Sequence, residues 1–389
     1  MKRFKAWQTY LLFILILSVF LITGCGDGET GHWLPGKSGT TPTVTSTDPA
    51  NGATGVAINK KISATFSEAM DPLTITNLTF TVAGVSGAVT YSGVTATFTP
   101  TSNLAAGTTY TATITTGAKD LADNALAANY TWSFTTGAVL APVALGAAAP
   151  FGGFGGAAGM TNQGLLTVIN GDIGTTGAST LVTGFRDSVG DIYTVTPLND
   201  GMVNGRIYTA PPPPGGAGVG GNATTFAIAT QALSDANTAF NNLSPASLPG
   251  GVDPGAGQLG GLTLAPGIYK AAGGSFLITG SNLTLDAGGD ANAVFVFQMA
   301  STLTVGAPGA PRSIILINGA QAKNVFWQVG SAATINAAGG GTMVGTIISS
   351  AATTFSTAGN VTVVTLNGRA LALNASVTMV NTVINVPAP

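Results

Sequence analysis

The sequence predicts an almost all-β chain in two parts, a β-sandwich followed by an irregular β-solenoid, with one long helix on the solenoid's flank. Three observations carry this reading. Fifty-five glycines and only two glutamates, Glu29 and Glu68, favour turns and strands over helix. Short runs that alternate apolar and polar residues, punctuated by Gly, Asn and Asp, recur through most of the chain. One stretch, Asn222 to Leu243, instead repeats its apolar residues at intervals of three and four. A length of 389 residues exceeds one ordinary core and argues for two folded units plus an export segment.

Residues 1–25 form the export segment. Lys2, Arg3 and Lys5 precede the apolar run Leu11 to Ile22, and the segment closes on Leu21-Ile22-Thr23-Gly24-Cys25. That ending resembles a bacterial lipobox. The resemblance implies that Cys25 is lipidated and becomes the mature N-terminus, which makes the membrane a partner through the lipid. Gly26, rather than Asp, follows the cysteine, and by resemblance to sorted lipoproteins this implies the outer membrane where the organism has one. Cys25 is the only cysteine, so no intramolecular disulfide forms and stability comes from packing. Residues 26–41, rich in Gly, Pro, Ser and Thr without periodicity, read as a flexible tether in which His32 is solvated.

Residues 42–137 read as a sandwich. Lys61 to Phe66, Ala96 to Thr99, Thr109 to Ile114 and Tyr130 to Thr135 each alternate apolar with polar positions and are separated by turn signals. The segments Asp48 to Val56, Phe66 to Asp71 and the closing Trp132-Ser133-Phe134-Thr135-Thr136 resemble those of bacterial Ig-like domains, which implies a spacer or adhesive stalk. Asp71, Asp120 and Asp123 admit a calcium reading, but beside strands such residues ordinarily satisfy the backbone of turns.

An Ala-, Gly- and Pro-containing stretch from Gly137 to Gly146 separates this unit from the second, residues 145–387. Here Ala293 to Phe297, Ser313 to Ile317, Val325 to Val329, Gly345 to Ile348 and Thr378 to Ile384 are short β runs at irregular intervals. Stacked as coils, they share one core. No strict repeat period is visible. Phe226, Ala229, Leu233, Ala236, Phe240 and Leu243 mark one face of the helix, with Asn222 or Thr224 as its cap and Pro245 beyond its end. The run Pro211 to Pro214, followed by Gly215 and Gly216, reads as a connection.

Composition excludes several functions. A net charge of −2 offers no basic surface for nucleic acid. Residues 138–389 hold six basic residues (Arg186, Arg206, Lys270, Arg312, Lys323 and Arg369) and eight Asp, with no His, Glu or Cys. Nucleophilic triads and zinc sites therefore lack their ordinary parts. Asp172, Asp187, Asp191, Asp200, Asp253, Asp286 and Asp290 sit in turn-like settings rather than as paired catalytic carboxylates. The chain is expected to be no enzyme, and to use no metal, no cofactor and no small-molecule substrate.

Five segments then carry a second resemblance. Asn170 to Gly174, Leu262 to Tyr269, Leu283 to Asp286, Ala293 to Gln298 and Asn318 to Val329 resemble, in order, the hallmark segments of the microbial ice-binding proteins. The resemblance implies a discontinuous β-helix of triangular section with a helix alongside, and an ice crystal surface as the partner. Rungs ~4.8 Å apart and alternate residues ~6.6 Å apart make a two-dimensional grid of side chains. Short threonines hold ordered water without imposing a charge's own hydration shell. The candidate grid positions are Ser331 and Ala333, then Ser349, Ala351 and Thr353, then Asn374, Ser376 and Thr378, with Thr161 near the first coil. They equally suit ordinary solvent-facing strand residues, and no regular Thr-x-Thr ladder is apparent. Gln298, Gln321, Asn324, Gln328, Phe295, Phe326 and Trp327 are assigned to the scaffold. The rival reading is a surface adhesin for a glycan or another cell, which an aromatic-lined pocket would favour.

Overall fold

A computed structural model describes residues 39–137, 140–214, 220–307, 309–357 and 359–388. The export segment, Cys25 and most of the tether lie outside the described residues. Among the described residues no helix is long and apolar enough to cross a membrane.

The first unit is two four-stranded sheets. One orders Val44–Asp48, Ile62–Phe66, Thr95–Pro100 and Gly87–Ser92; the other orders Ala53–Val56, Tyr130–Thr136, Thr109–Ile114 and Phe80–Val82. The alternation in the sequence becomes the two sides of each strand. Ile62, Ala64, Phe66, Ala96, Phe98, Ala112, Ile114, Trp132 and Phe134 are buried between the sheets. Phe80 lies 5.8 Å from both Phe98 and Trp132 and joins the two inner faces. Each such ring stabilises the unit by roughly 1.5–3 kcal/mol through burial. The intervening hydroxyls face outward and pair across strands, Thr109 with Thr135 and Thr111 with Ser133. Asp120 accepts from the backbone of Ala122 and Asn124 and from the Asn124 amide, while Asp71 accepts from Leu73 N. These carboxylates hold turns.

The second unit is a three-sided parallel solenoid. A seven-stranded sheet forms one side, and a thirteen-stranded sheet turns a corner to supply most of the other two, extended by a three-stranded sheet. The strands Thr342–Ser349 and Val364–Ala372 run through that corner and bend at the paired Gly345 and Gly368. A Cβ on Gly368 would stand 1.9 Å from the Gly345 carbonyl oxygen, an approach only glycine admits. The core stacks aromatic rings along the axis. Phe297 lies 3.9 Å from Trp327 and nearly parallel to it, and Tyr269 stacks 5.2 Å from Phe297. The Trp327 indole donates to Val344 O, so its burial leaves no donor unmet.

The coils are not stacked in chain order. Phe151–Gly155 pairs with Val364–Ala372, Met160–Asn162 with Val377–Met379, and Val168–Asn170 with Thr382–Asn385. The first coil therefore closes on the last coils. Amides cross this seam: Asn204 donates to Asn170, Asn170 to Asn385, and Asn385 to Asn367, at 2.6, 2.7 and 2.9 Å. Arg369, 5% exposed, donates through Nε to Ala149 O and through Nη2 to Pro387 O, tying the segments just before the first strand and just after the last.

The helix, Ala223–Asn242, is capped by Asn222, whose side chain accepts from Thr224 N and Thr225 N while Thr225 Oγ1 accepts from Asn222 N. Its first turn meets Thr209 O through Thr225, and Gln298 Nε2 donates to Leu243 O and Leu248 O just past its end. Seven paired strands, from Ile207–Ala210 to Phe295–Met299, lie between those points. Six steps of ~4.8 Å make about 29 Å, and twenty helical residues make about 30 Å. The helix is thus as long as the surface it covers. The face it buries is the expected one except at Phe226, with Ala232 and Ala239 added to it. Ala229, Ala232, Ala236 and Ala239 pack on Phe154, Leu371, Ile348, Phe326 and Val296, whereas Phe226 is 40% exposed. Alanines let the backbone approach a sheet that supplies the large side chains itself, and Leu233 and Phe240 fill the edge of the contact.

Candidate functional site

The three sides of the solenoid differ in what they present. The helix covers one. The second mixes apolar and charged groups: Met202, Ile192 and Ile315 are exposed, and Arg186 forks onto both oxygens of Asp200, holding that carboxyl below its usual range. The third is the seven-stranded sheet, and its two main outward columns carry no ionisable side chain.

Its order is Val182–Thr183, Met160–Asn162, Val377–Met379, Thr353–Phe355, Ala333–Ile335, Leu303–Val305 and Phe276–Ile278. Each strand sends its first residue into the core and its second outward. The outward residues are in register: Thr183 beside Thr161, then Thr378, Thr354, Thr334 and Thr304, with Leu277 at the end. Six threonines thus stand side by side at ~4.8 Å intervals, a row of about 24 Å. β-Branching restricts each to few rotamers, so the hydroxyls and methyls repeat with the rungs. Two residues earlier on each strand a second outward column runs Leu181, Gly159, Ser376, Ala352, Ala332, Thr302 and Ser275, consistent with the backbone bonds Val377 N to Gly159 O, Thr353 N to Ser376 O, Ala333 N to Ala352 O, Leu303 N to Ala332 O and Phe276 N to Thr302 O. Between Leu181 and Leu277 at its two ends the surface is short-chained, and both columns are uncharged.

The sequence-derived positions divide between this surface and the core. Thr161 and Thr378 stand in the threonine row and Ser376 in the second column. Ser331 and Ala351 lie at its margin, joined by Ala351 N to Ser331 O, and Asn374 is exposed at the corner, where Nδ2 donates to Ser350 O. Ala333, Ser349 and Thr353 are buried, at 1%, 0% and 0% exposure, and are no part of any surface. The expectation for these three assumed alternation through Ser349, Ala351 and Thr353. A corner interrupts it: Ser349 ends one side of the triangle, Thr353 begins the next, and their hydroxyls meet at 2.9 Å inside that corner. Ala333 occupies the same inward column as Thr353, so the outward residues are Thr334 and Thr354. The sequence reading missed these two, Thr304 and Thr183. Their local signal is a threonine between two inward residues, as in Leu303-Thr304-Val305. Leu283-Thr284-Leu285 carries the same signal on another sheet, so only the register separates them.

A family profile described as ice-binding-like matches residues 154–385. The chain belongs to the ice-binding-like family. A second profile, for a bacterial Ig-like domain, matches residues 38–136. Over 249 residues the chain is 39% identical to an ice-binding protein of Nostoc sp. (strain HG1), covering 64% of this chain and 76% of that one. A 107-residue stretch is 43% identical to ice-binding protein 1 of Shewanella frigidimarina, 27% of this chain and 12% of that one. The solved domain of Shewanella frigidimarina ice-binding protein 1 superposes with a TM-score of 0.52 at 26% identity, covering 64% of this chain and 99% of that chain. The family is non-enzymatic.

A cleft of about 510 Å³ lies between the sandwich and the solenoid, lined mainly by small apolar residues such as Ala53, Val56, Val252 and Pro266. Tyr269 is its one aromatic, and its hydroxyl is engaged with Ala265 O. This is not the aromatic-lined pocket that would favour the adhesin reading.

Proposed function

We propose that this chain binds ice by adsorption through the seven-stranded sheet, and so restrains ice growth or recrystallisation or holds its cell to ice. The observation that carries the reading is the unbroken row of six threonines on an uncharged surface. Ordered water on such a row keeps the spacing of the rungs, and no charged group competes for its orientation. The named relatives are ice-binding proteins, which agrees with this use of the fold. Ice-affinity partitioning of the chain, with an exclusion control of equal size, tests it directly. Enrichment in the ice fraction is expected; exclusion of the folded chain sinks it.

In the same proposal Cys25 carries lipid, the chain sits at the cell envelope with the outer membrane as its site, and the sandwich is the spacer that presents the solenoid. What supports this is the signal that ends on Cys25 and the Ig-like unit between it and the ice-binding domain. Incorporation of labelled palmitate, abolished by Cys25→Ser, is the measurement.

A further inference from the structure

We infer that the end of the sandwich from which the tether leaves is a lipid-docking surface. All four exposed large hydrophobic residues among the described residues of the sandwich lie there: Leu73 at 86%, Leu78 at 81%, Leu121 at 73% and Val94 at 38% exposure. Topology places them together. The loop after Ile62–Phe66 holds Leu73 and Leu78, and the loop after Thr109–Ile114 holds Leu121. The loops are joined by Asp71 N to Lys119 O, Thr115 N to Thr79 O and the bridge between Met70 and Asp120. Val94 turns the hairpin whose carbonyl accepts from Phe66 N, and Met70 N donates to the hydroxyl of Tyr91 in that hairpin.

The chain begins its fold at the same end. Val44 pairs with Phe66, Thr43 N donates to Ser67 Oγ, and Thr40 Oγ1 donates to Glu68. The opposite end carries the loop of Asn103, which donates to Gly288 O of the solenoid, and the exit at Thr136. So the leucines face where the tether emerges, and the solenoid joins at the far end. Cys25 and Thr40 are fifteen residues apart. Fifteen residues reach at most about 50 Å, which keeps this end within that distance of whatever surface Cys25 is attached to. A protein that needed only a free spacer would gain nothing from three leucines this exposed on adjacent loops. Glu68, Asp71 and Asp123 outnumber Lys119 around them, which selects a zwitterionic surface over an anionic one. Docked in this way, the sandwich stands upright and its far end, with the solenoid, is held off the bilayer.

The inference rests on the proposed attachment at Cys25, and the test separates the two. The mature chain is coupled through its single thiol to a maleimide lipid in phosphatidylcholine vesicles, which supplies the attachment whether or not the cell does. Amide exchange is then compared with that of the free chain. Exchange in residues 71–79, 92–95 and 117–125 is expected to slow about tenfold on tethering, and to return to the free rate in the Leu73→Ser, Leu78→Ser, Leu121→Ser variant, whose changes touch no core residue. Unchanged rates in the tethered chain overturn the inference. Protection that instead develops in solution with protein concentration assigns the patch to a second copy and also overturns it. Failure of palmitate incorporation at Cys25 in cells counts against the anchor alone.

Discussion

Replacing Thr354 with tyrosine probes the threonine row at its interior. The six-residue order is Thr183, Thr161, Thr378, Thr354, Thr334 and Thr304. Neighbouring side chains on adjacent rungs are about 5 Å apart and within reach of an aromatic ring. A tyrosine at 354 therefore covers three rungs, its own and those of Thr378 and Thr334, and leaves no contiguous run longer than two. At about 0.5 kcal/mol per rung, the low end for a net hydrogen bond, the loss is ~1.5 kcal/mol. That corresponds to roughly tenfold more protein for equal inhibition of recrystallisation. The same change at Thr304, the row's end, covers two rungs and leaves four contiguous, costing ~1 kcal/mol or about fivefold. Thr284→Tyr, on another sheet, is the control and is expected to change nothing. Recrystallisation endpoints for the three variants, each with an unchanged circular dichroism spectrum and melting midpoint, decide the matter. Equal endpoints for 354 and 284 would refute the assignment of this face.

Other outcomes follow from the same structure. Arg369→Leu removes charged donors from Ala149 O and Pro387 O in a buried setting and is expected to cost ~2–5 kcal/mol in denaturant unfolding, with amide exchange rising first in the strands before and after the seam. Ala236→Leu puts extra volume between helix and sheet and should cost about 1–3 kcal/mol, whereas Phe226→Ser, on the exposed side, should stay within about 0.5 kcal/mol. Burial pushes the Asp253 carboxyl up, but donors from Gly257, Ala272 and Gly255 outweigh it and hold it below its usual range. Its contribution is therefore present above its unfolded value of 3.8 and lost as pH falls through the lower folded value. Melts of wild type and Asp253→Asn should converge on acidification below that point, and a constant gap would contradict this. Because the threonine face holds no ionisable group, ice partitioning should be flat between pH 5 and 9 while the fold persists, and a titration within that range would point to another surface.

The sandwich was legible because its signal is local. Alternation in Ile62 to Phe66 or Thr109 to Ile114 assigns both sides of a strand without reference to any other part of the chain. The helix was legible for the same reason, and with it most of the buried face, Ala229, Leu233, Ala236, Phe240 and Leu243; Phe226 alone turns outward, since the sheet decides which side chains of the helix pack inward. The threonine row was legible only in part. Its members Thr304, Thr334, Thr354 and Thr378 are separated by intervals of 30, 20 and 24 residues, because the corners between them differ in length. Corners also shift the phase of alternation, which is why Ser349 and Thr353 read as surface and are core. Thr161 and Thr183 join from the other end of the domain, a neighbour relation that no periodicity records.

The seam gives the row a history as well as a geometry. Asn170 and Asn385, which meet across it, are 215 residues apart in sequence, so Thr161 and Thr183 are made early and wait for nearly the whole domain before Thr378 arrives beside them. Until then the row exists as two fragments, a pair and an incomplete remainder. Contacts of such separation form late and slowly. During synthesis the flank of Met160–Asn162 is an unpaired parallel edge, open to the matching strand of a neighbouring chain. An exchange of the last coil between two copies would satisfy the same register, so a domain-swapped dimer is an assembly error that this seam admits.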